Sequence, residues 1–531
     1  MASPAPLLAL NSPKPVASQS RKNQPPAPAE PRTDSFLPFE TTSSFHPVSY
    51  SKSETQSKSI SDLCASFPHH ISQNRVQAVL KIGHGESRDK LDAQLNSVSA
   101  CFQPGELLIF SDLDEDLVLG GSNTNKKRGQ NIHRAIDVLA NLPSSYFDPY
   151  PHNEGQTTQA EEFTNYEAMI ALSKEGSLTT ENDPTRKDNT GWKLDKYKFL
   201  AEVERAWEMR PNKEWYVFYE TDTYVVWDNL FRFLLGGLDP DKEWYMGSPS
   251  PGRVDNDYAD PEENGRKTKI KTWFANGGPG FVLSRGAMEK LLRRESEEGR
   301  LVTPPLTLKW LDIIRSDCCG DSVLGWALWK VGIKLSGMFP MFNVYPLHGV
   351  PFSERKWCQP VLTMHKTLPA DMEGLWRWEQ GVRKLGRPLL YADLYEFRHP
   401  GSVQAEVRKN WDNTNYDKQA KGGHDVGAKT LDECEKACQD DEKCLQYMWR
   451  GEDRHSCVFQ VFINLGLEKQ PERKEKNITV ENPHEGEPAW RLEVEVTSFT
   501  SGWMTGRIGE WKSEHECTGV DWLWPSLDRY F

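Results

Sequence analysis

Long hydrophobic runs are missing from this chain of 531 residues: no apolar stretch approaches the roughly 20 residues of a membrane-spanning helix, and Pro4 to Leu10 is too short for the core of a signal peptide. Positive charge is also in deficit, with 64 Lys and Arg against 77 Asp and Glu, a formal charge of −13 and a pI near 5.6. That balance removes the basic footprint of a nucleic-acid binder, so no nucleic-acid partner is expected. Apolar residues make up only 37% of the chain, low for this length, which implies that part of it is not packed. Ten cysteines are too few for a disulfide miniprotein, yet four of them crowd between Cys434 and Cys457, and a sequon, Asn477-Ile478-Thr479, follows. Cluster and sequon together favour an oxidising, secretory compartment. The route of entry is not legible, and a membrane anchor upstream of Met1 stays open.

What is present divides into three. Residues 1–70 are rich in Pro, Ser and Lys, with eight prolines in the first 32 positions, and are expected to form a disordered tail or stem. Residues 71–400, folded from near Arg75, alternate strand and helix patterns with acids at the strand ends, the signature of an α/β sheet whose ligands sit at the carboxyl ends of strands. Residues 401–531 change character around the clustered cysteines. Val76 to Ile82 reads as a strand closing on Gly83-His84-Gly85, and Glu106 to Phe110 as a second ending at Asp112. A polar stretch, Ser248 to Lys269, reads as a long loop and a candidate lid.

Trp215 to Leu230 carries the strongest local signal. An aromatic and β-branched run breaks at Glu220 and Asp222, then resumes at Tyr224. The pair is either an acidic turn or a holder for a divalent cation, whose hard oxygen ligands are completed by substrate phosphates and water. Gly277 and Gly278 lie in a Gly-rich turn before another strand, read as a tight turn or a close approach to ligand. Asp321 heads a helix, as its cap or as a functional carboxylate. His348 and His365 follow in aromatic surroundings, either structural or available to complete a metal site.

Residues 75–398, taken in order, resemble glycosyltransferase family 31, the group of fringe and the core-1 β1,3-galactosyltransferase. Glu220-Thr-Asp-Thr-Tyr-Val225 is similar to that family's Asp-Asp-Asp-Thr-Tyr-Val, and Asn276-Gly-Gly-Pro-Gly-Phe-Val-Leu-Ser284 to its Gly-Gly-Ala-Gly-Tyr-Val-Leu-Ser. Gly320-Asp321-Ser-Val-Leu-Gly325 resembles Glu-Asp-Val-x-x-Gly, and Leu362-Thr-Met-His365 a later histidine block. The resemblance implies a GT-A-type α/β fold, Mn2+ or another divalent cation, a UDP-sugar donor, a glycan or glycoprotein acceptor, and inversion. It assigns Asp222, Glu220 and His365 to the metal, and Asp321 to the general base. Glu220, Asp222, Lys196, Asp112, Gly277 and Gly278 go to the donor, Lys196 near the diphosphate and Asp112 towards the nucleoside. The expected reaction moves a hexose, galactose first, to form a β1,3 linkage. The alternatives are a fringe-like N-acetylglucosaminyltransferase, or a non-catalytic glycan- or protein-binding protein on a transferase scaffold. Two departures, Glu and Thr in the acidic triplet and Gly320 before the base, keep the second alternative open. Trp273, Trp357, Trp376 and Trp378 are candidates for stacking on sugar faces. Family members are usually type II membrane proteins of the Golgi.

The carboxyl-terminal cysteines lack the short Cys-x-x-Cys pairs of a zinc site. Leu431 to Cys438, then Cys444-Leu-Gln-Tyr-Met-Trp, then Ser456-Cys457 resemble a smaller, disulfide-bonded α+β module of PAN/apple type. That resemblance implies the bridges Cys434 to Cys457 and Cys438 to Cys444 and a protein or carbohydrate ligand; the sequon separately makes Asn477 a candidate glycosylation site.

Overall fold

The strand Trp215–Glu220 is buried at its first five residues, so both its faces must be covered. It lies inside an eight-stranded sheet, between Val76–Lys81, to which it runs parallel, and Phe281–Ser284, to which it runs antiparallel. Beyond Val76–Lys81 the order continues Leu107–Ser111, Ile132–Asp137 and Glu115–Val118; beyond Phe281–Ser284 it continues Tyr245–Gly247 and Ser336–Gly337. The parallel strands Val76–Lys81, Leu107–Ser111 and Trp215–Glu220 bring their carboxyl ends to one edge, in register from Lys81 to Glu220 and from Lys81 to Phe110. The fold is therefore mixed α/β.

The computed structural model describes residues 42–46, 50–118, 132–148, 150–152, 156–158, 161–187, 190–260, 265–297, 299–383, 386–402, 407–414, 426–479, 490–523 and 525–527. Among them no helix is long and apolar enough to cross a membrane.

One face of the sheet is covered by the helix Thr190–Met209, whose Leu194, Tyr197, Leu200 and Val203 are fully buried. Phe199 from this helix stacks on Phe281, which stacks in turn on Phe218 of the central strand at 4.7 Å between ring centres. Each such side chain contributes about 2 kcal/mol by burial, enough in sum to hold charged strand ends in a dry setting. The helix Gly320–Lys330 lies alongside, close enough that a Cβ on Gly320 would meet the Lys196 carbonyl oxygen at 2.3 Å and Phe199 Cδ2 at 2.5 Å.

Three expectations change. Ordered structure begins before Arg75: helices Ile60–Cys64 and His69–Asn74 are formed, and Cys64 is bonded to Cys101. The stretch Ser248 to Lys269 is not a loop but most of a β-hairpin, Pro249–Asp260 with Arg266–Ala275. Asn256, Asp257, Arg266, Lys267, Lys269 and Lys271 are exposed, while Phe274 rests on Gly325 and the buried Asp255 accepts from Trp329 Nε1 and Lys330 Nζ at 2.8 and 2.7 Å. Trp357, Trp376 and Trp378 are buried packing residues and offer no face to a sugar; Trp357 packs on Phe352, Tyr395 and Trp511.

In the carboxyl-terminal part, a five-stranded sheet has Trp490–Trp503 paired with Val407–Lys409, Gln446–Glu452 and Glu472–Thr479, and Ser456–Gln460 beyond Gln446–Glu452. The helix Leu431–Asp440 is held by the bridges Cys434–Cys457 and Cys438–Cys444. Asn477 sits in the strand Glu472–Thr479, opposite Leu492. Residues 37–531 form one compact unit, in which the carboxyl-terminal part is tied to the rest by, among other contacts, the Phe352–Ile463 backbone pair, the bond from Gly466 N to the His348 carbonyl, and the disulfide Cys358–Cys517. His348 is thereby a buried residue of this junction.

Gly325 tests the packing of hairpin on helix, because its added Cβ would lie 2.3 Å from Phe274 Cβ. Gly325→Ala should destabilise the protein by about 1–3 kcal/mol, read as a lower midpoint of thermal unfolding; an unchanged midpoint would show that the helix and hairpin are not in contact.

Candidate functional site

At the carboxyl edge of the sheet the buried strand ends in a short turn, in which Thr223 N donates to the Glu220 carbonyl at 3.0 Å and Thr223 Oγ1 accepts from Glu220 N at 2.9 Å. The turn projects Glu220 and Asp222 together. His365 joins them from the segment after the strand Thr363–Met364, which pairs with Tyr224–Val225. Ligand atoms of Glu220, Asp222 and His365 all lie within 4.8 Å of one another. Asp222 Oδ1 is 3.4 Å from His365 Nε2, and its Oδ2 accepts from Lys90 Nζ at 2.9 Å. Burial alone would raise the Asp222 carboxyl, but His365 and Lys90 outweigh it and hold the group well below the usual carboxylate range.

Behind this trio lies a dry network of charges. Lys81, the last residue of its strand, reaches Glu220 at 3.0 Å, pairs with Asp195 and stands over the Phe199 ring at 4.0 Å. Burial pulls the Lys81 ammonium down, yet Asp195, Glu220 and Glu202 raise it above the ordinary lysine value. Lys198 donates to the Ile82 carbonyl at 2.9 Å and pairs with Asp112 at 3.2 Å. Asp112, directly after the strand Leu107–Ser111, is 0% exposed; its Oδ1 accepts from His84 N at 2.7 Å, and it serves as a buried counter-ion to Lys198. Glu86, which accepts from Thr221 Oγ1 at 2.6 Å, is pushed up to about 7 by burial, and carries its proton for much of the neutral range. Lys196 is committed elsewhere, donating to the carbonyls of Arg315 and Asp317 at 3.3 and 3.2 Å.

The Gly-rich turn brings the remaining carboxylate to this centre. Asp321 Oδ2 accepts from Gly277 N at 2.8 Å and Oδ1 from Ser322 N at 2.8 Å. Asp321 lies in the first turn of the helix Gly320–Lys330, where one oxygen takes a free first-turn N–H as a capping carboxylate does, while the other is turned to Gly277 N; the capping position itself belongs to Cys319. Burial raises its carboxyl to about 6, against the two backbone donors. A Cβ on Gly277 would lie 3.3 Å from Glu220 Oε1 and 2.6 Å from Phe199 Cζ. One on Gly278 would fall 2.0–2.4 Å from three atoms of the His365 ring. Both glycines are therefore required by close approach: the turn touches Asp321, Glu220 and His365 at once. Gly280, at φ +79°, turns the chain back into its strand.

Two carboxylates and one imidazole within this radius fit Mn2+ or Mg2+ by donor chemistry, with room for oxygens of a substrate. The other cluster of such groups among the described residues, Asp317 with Cys318 and Cys319, supplies no thiolate, because the two cysteines are bonded to each other. Residue patterns did not single out Lys81, Lys90, Lys198 or Glu86. The only signal for Lys81 was a charge closing an otherwise apolar strand.

Comparison with known proteins identifies part of this region. Residues 163–305 match the Fringe-like family. The chain is 34% identical over 84 residues to the fringe glycosyltransferase of Drosophila melanogaster, covering 16% of the chain and 20% of that protein. It is 34% identical over 83 residues to the β-1,3-N-acetylglucosaminyltransferase radical fringe of Gallus gallus, with 16% of the chain and 22% of that protein covered. It is 33% identical over 94 residues to lunatic fringe of Bos taurus, another β-1,3-N-acetylglucosaminyltransferase by name, with 18% and 24% covered. The chain thus spans about a fifth to a quarter of the length of these relatives. The family match contains Lys196, Glu220, Asp222, Gly277 and Gly278 and stops short of Asp321 and His365.

Gly278→Ala should displace the His365 ring and weaken Mn2+ binding by about 10- to 100-fold while leaving the circular dichroism spectrum unchanged. Unaltered Mn2+ affinity would separate His365 from the metal centre.

Proposed function

We infer that this chain is a fringe-like glycosyltransferase of family 31, with a GT-A-type fold, that transfers a hexose from a UDP-sugar to a hydroxyl of a glycan or glycoprotein with inversion. The observation that carries the reading is the joining of two chemistries by one turn: the Glu220, Asp222 and His365 trio and the Asp321 carboxylate meet around Gly277 and Gly278. The fringe-like match over residues 163–305 supports it independently. Galactose, the first expectation for the donor, gives way to N-acetylglucosamine, since two of the matched relatives carry β-1,3-N-acetylglucosaminyltransferase in their names.

In this mechanism Glu220, Asp222 and His365 would hold Mn2+ or a similar ion, which would supply positive charge to the diphosphate of the leaving UDP. Glu220, tethered by Lys81, keeps one carboxylate beside Asp222, where it would contact the donor. Asp321 accepts the proton of the acceptor hydroxyl as that oxygen attacks the anomeric carbon; the glycosidic bond forms as the bond to UDP breaks, in a single displacement. A carboxyl at about 6 is ionised at neutral pH and still basic enough for this task. Gly320, where the family carries an acid, suits the close contact with Lys196 and Phe199 described above, and it removes a negative charge from beside the base.

The carboxyl-terminal part is read as a PAN/apple-like module that binds protein or carbohydrate, supported by a helix clipped to a sheet through two disulfides. Pairing of all ten cysteines, together with the sequon at Asn477, supports residence in the secretory pathway, with the Golgi as the proposed site.

Two outcomes follow. Asp321→Asn should lower UDP release from UDP-N-acetylglucosamine with acceptor by about 10²–10⁴-fold while UDP binding is retained; full turnover would remove Asp321 from the chemistry. The wild-type rate should fall about tenfold per pH unit below about 6, because protonated Asp321 cannot accept a proton. A rate flat from pH 7 to pH 5 would contradict that role.

A further inference from the structure

Both oxygens of Asp222 face cationic or hydrogen-bonding partners, and the two partners differ in kind. His365 is held in place: its ring lies over Gly278, and its backbone N donates to the Asn343 carbonyl at 2.9 Å. Lys90 is the third residue of the short helix Arg88–Leu95, with its side chain 43% exposed. The lysines deeper in the site are different again, 4% exposed at Lys81 and 1% at Lys198, and each is bonded to a group of the scaffold. Lys90 is thus the exposed cation of the three, and it stands on the carboxylate that the mechanism assigns to the metal.

A divalent cation and an ammonium cannot share one carboxylate oxygen at hydrogen-bond distance without strong repulsion in a partly dry setting. The long, flexible lysine stem and its exposure provide a way out, since the ammonium can regain its hydration by swinging into solvent. We propose that Lys90 is the resident counter-cation of the Asp222 centre: it neutralises Asp222 when no metal is bound and is expelled when a divalent ion enters. The inference rests on the reading of Glu220, Asp222 and His365 as a metal centre. Two consequences follow for the chain itself. Metal-free protein keeps its crowded acids from repelling one another, and metal affinity is set lower than the three ligands alone would give, because each binding event must break the 2.9 Å pair.

The test uses Mn2+ alone, without donor, on the full chain, with free Mn2+ followed by electron paramagnetic resonance and thermal midpoints recorded with and without the ion. Lys90→Met removes the charge while preserving most of the stem; Lys90→Arg retains the charge; Asp222→Ala removes the ligand. The proposal expects Lys90→Met to bind Mn2+ about tenfold more tightly than wild type, with a larger rise in midpoint on adding Mn2+, and Lys90→Arg to remain close to wild type. Tight binding by Lys90→Met where wild type binds too weakly to detect would support it equally. If Lys90→Met binds as wild type does, or more weakly, while Asp222→Ala abolishes binding, Lys90 is not a competitor and the metal centre still stands. If neither wild type nor Lys90→Met binds Mn2+, the metal reading fails and this proposal falls with it.

Discussion

The site depends on placing more carboxylates at one sheet edge than a dry environment tolerates. Glu220, Asp222, Asp112, Asp195 and Glu86 converge where three parallel strands end, and burial opposes the charge of each one that is desolvated. Two buried lysines, Lys81 and Lys198, make the arrangement possible by bonding to the backbone and to these acids. Glu86 relieves the rest by retaining a proton up to about 7. Acidity that is this costly to build is directed towards one opening, where Asp222 and His365 meet the end of Lys90.

A second constraint is distance. The end of the central strand presents Glu220 and Asp222, and a helix a hundred residues later presents Asp321, so some element must set one against the other. The Gly277–Gly278 turn does so by donating its backbone N to Asp321 and resting its bare α-carbons on Glu220 and His365. Side chains there would separate the groups that it joins. Gly320 and Gly325 do the corresponding work on the helix, allowing it to approach Lys196 and Phe274 closely. Glycine therefore serves here for close approach at four positions, and for a positive φ at Gly280.

How far residues alone foretold this differs from element to element. The strand Trp215–Glu220 was legible because a run buried on both faces is continuously apolar, and the break at Glu220 marks its end. The helix Thr190–Met209 was legible by its period, and the glycines by their density. The hairpin Pro249–Asp260 with Arg266–Ala275 was not, since much of the ribbon beyond its contact with the helix Gly320–Lys330 is exposed and carries polar residues, which gives it the composition of a loop. The early helices Ile60–Cys64 and His69–Asn74 are too short to display a period. Lys81, Lys90 and Lys198 were invisible as site residues because their role is set by partners 86 to 139 positions away along the chain, and no local pattern reports such a partner. Lys196, named from a resemblance of position, faces the Arg315 and Asp317 carbonyls, two positions along the helix from the lysine that reaches Asp112.

Crystals of the full chain grown with Mn2+ and UDP test the central claim most directly, through the anomalous signal of the ion. The expected result is a single strong peak within ligand distance of Asp222 and His365, bridging to the UDP phosphates, with Asp321 facing the side opposite the nucleotide. UDP bound at this edge with Mn2+ elsewhere, or Mn2+ at the trio with Asp321 turned away from the nucleotide groove, would contradict it.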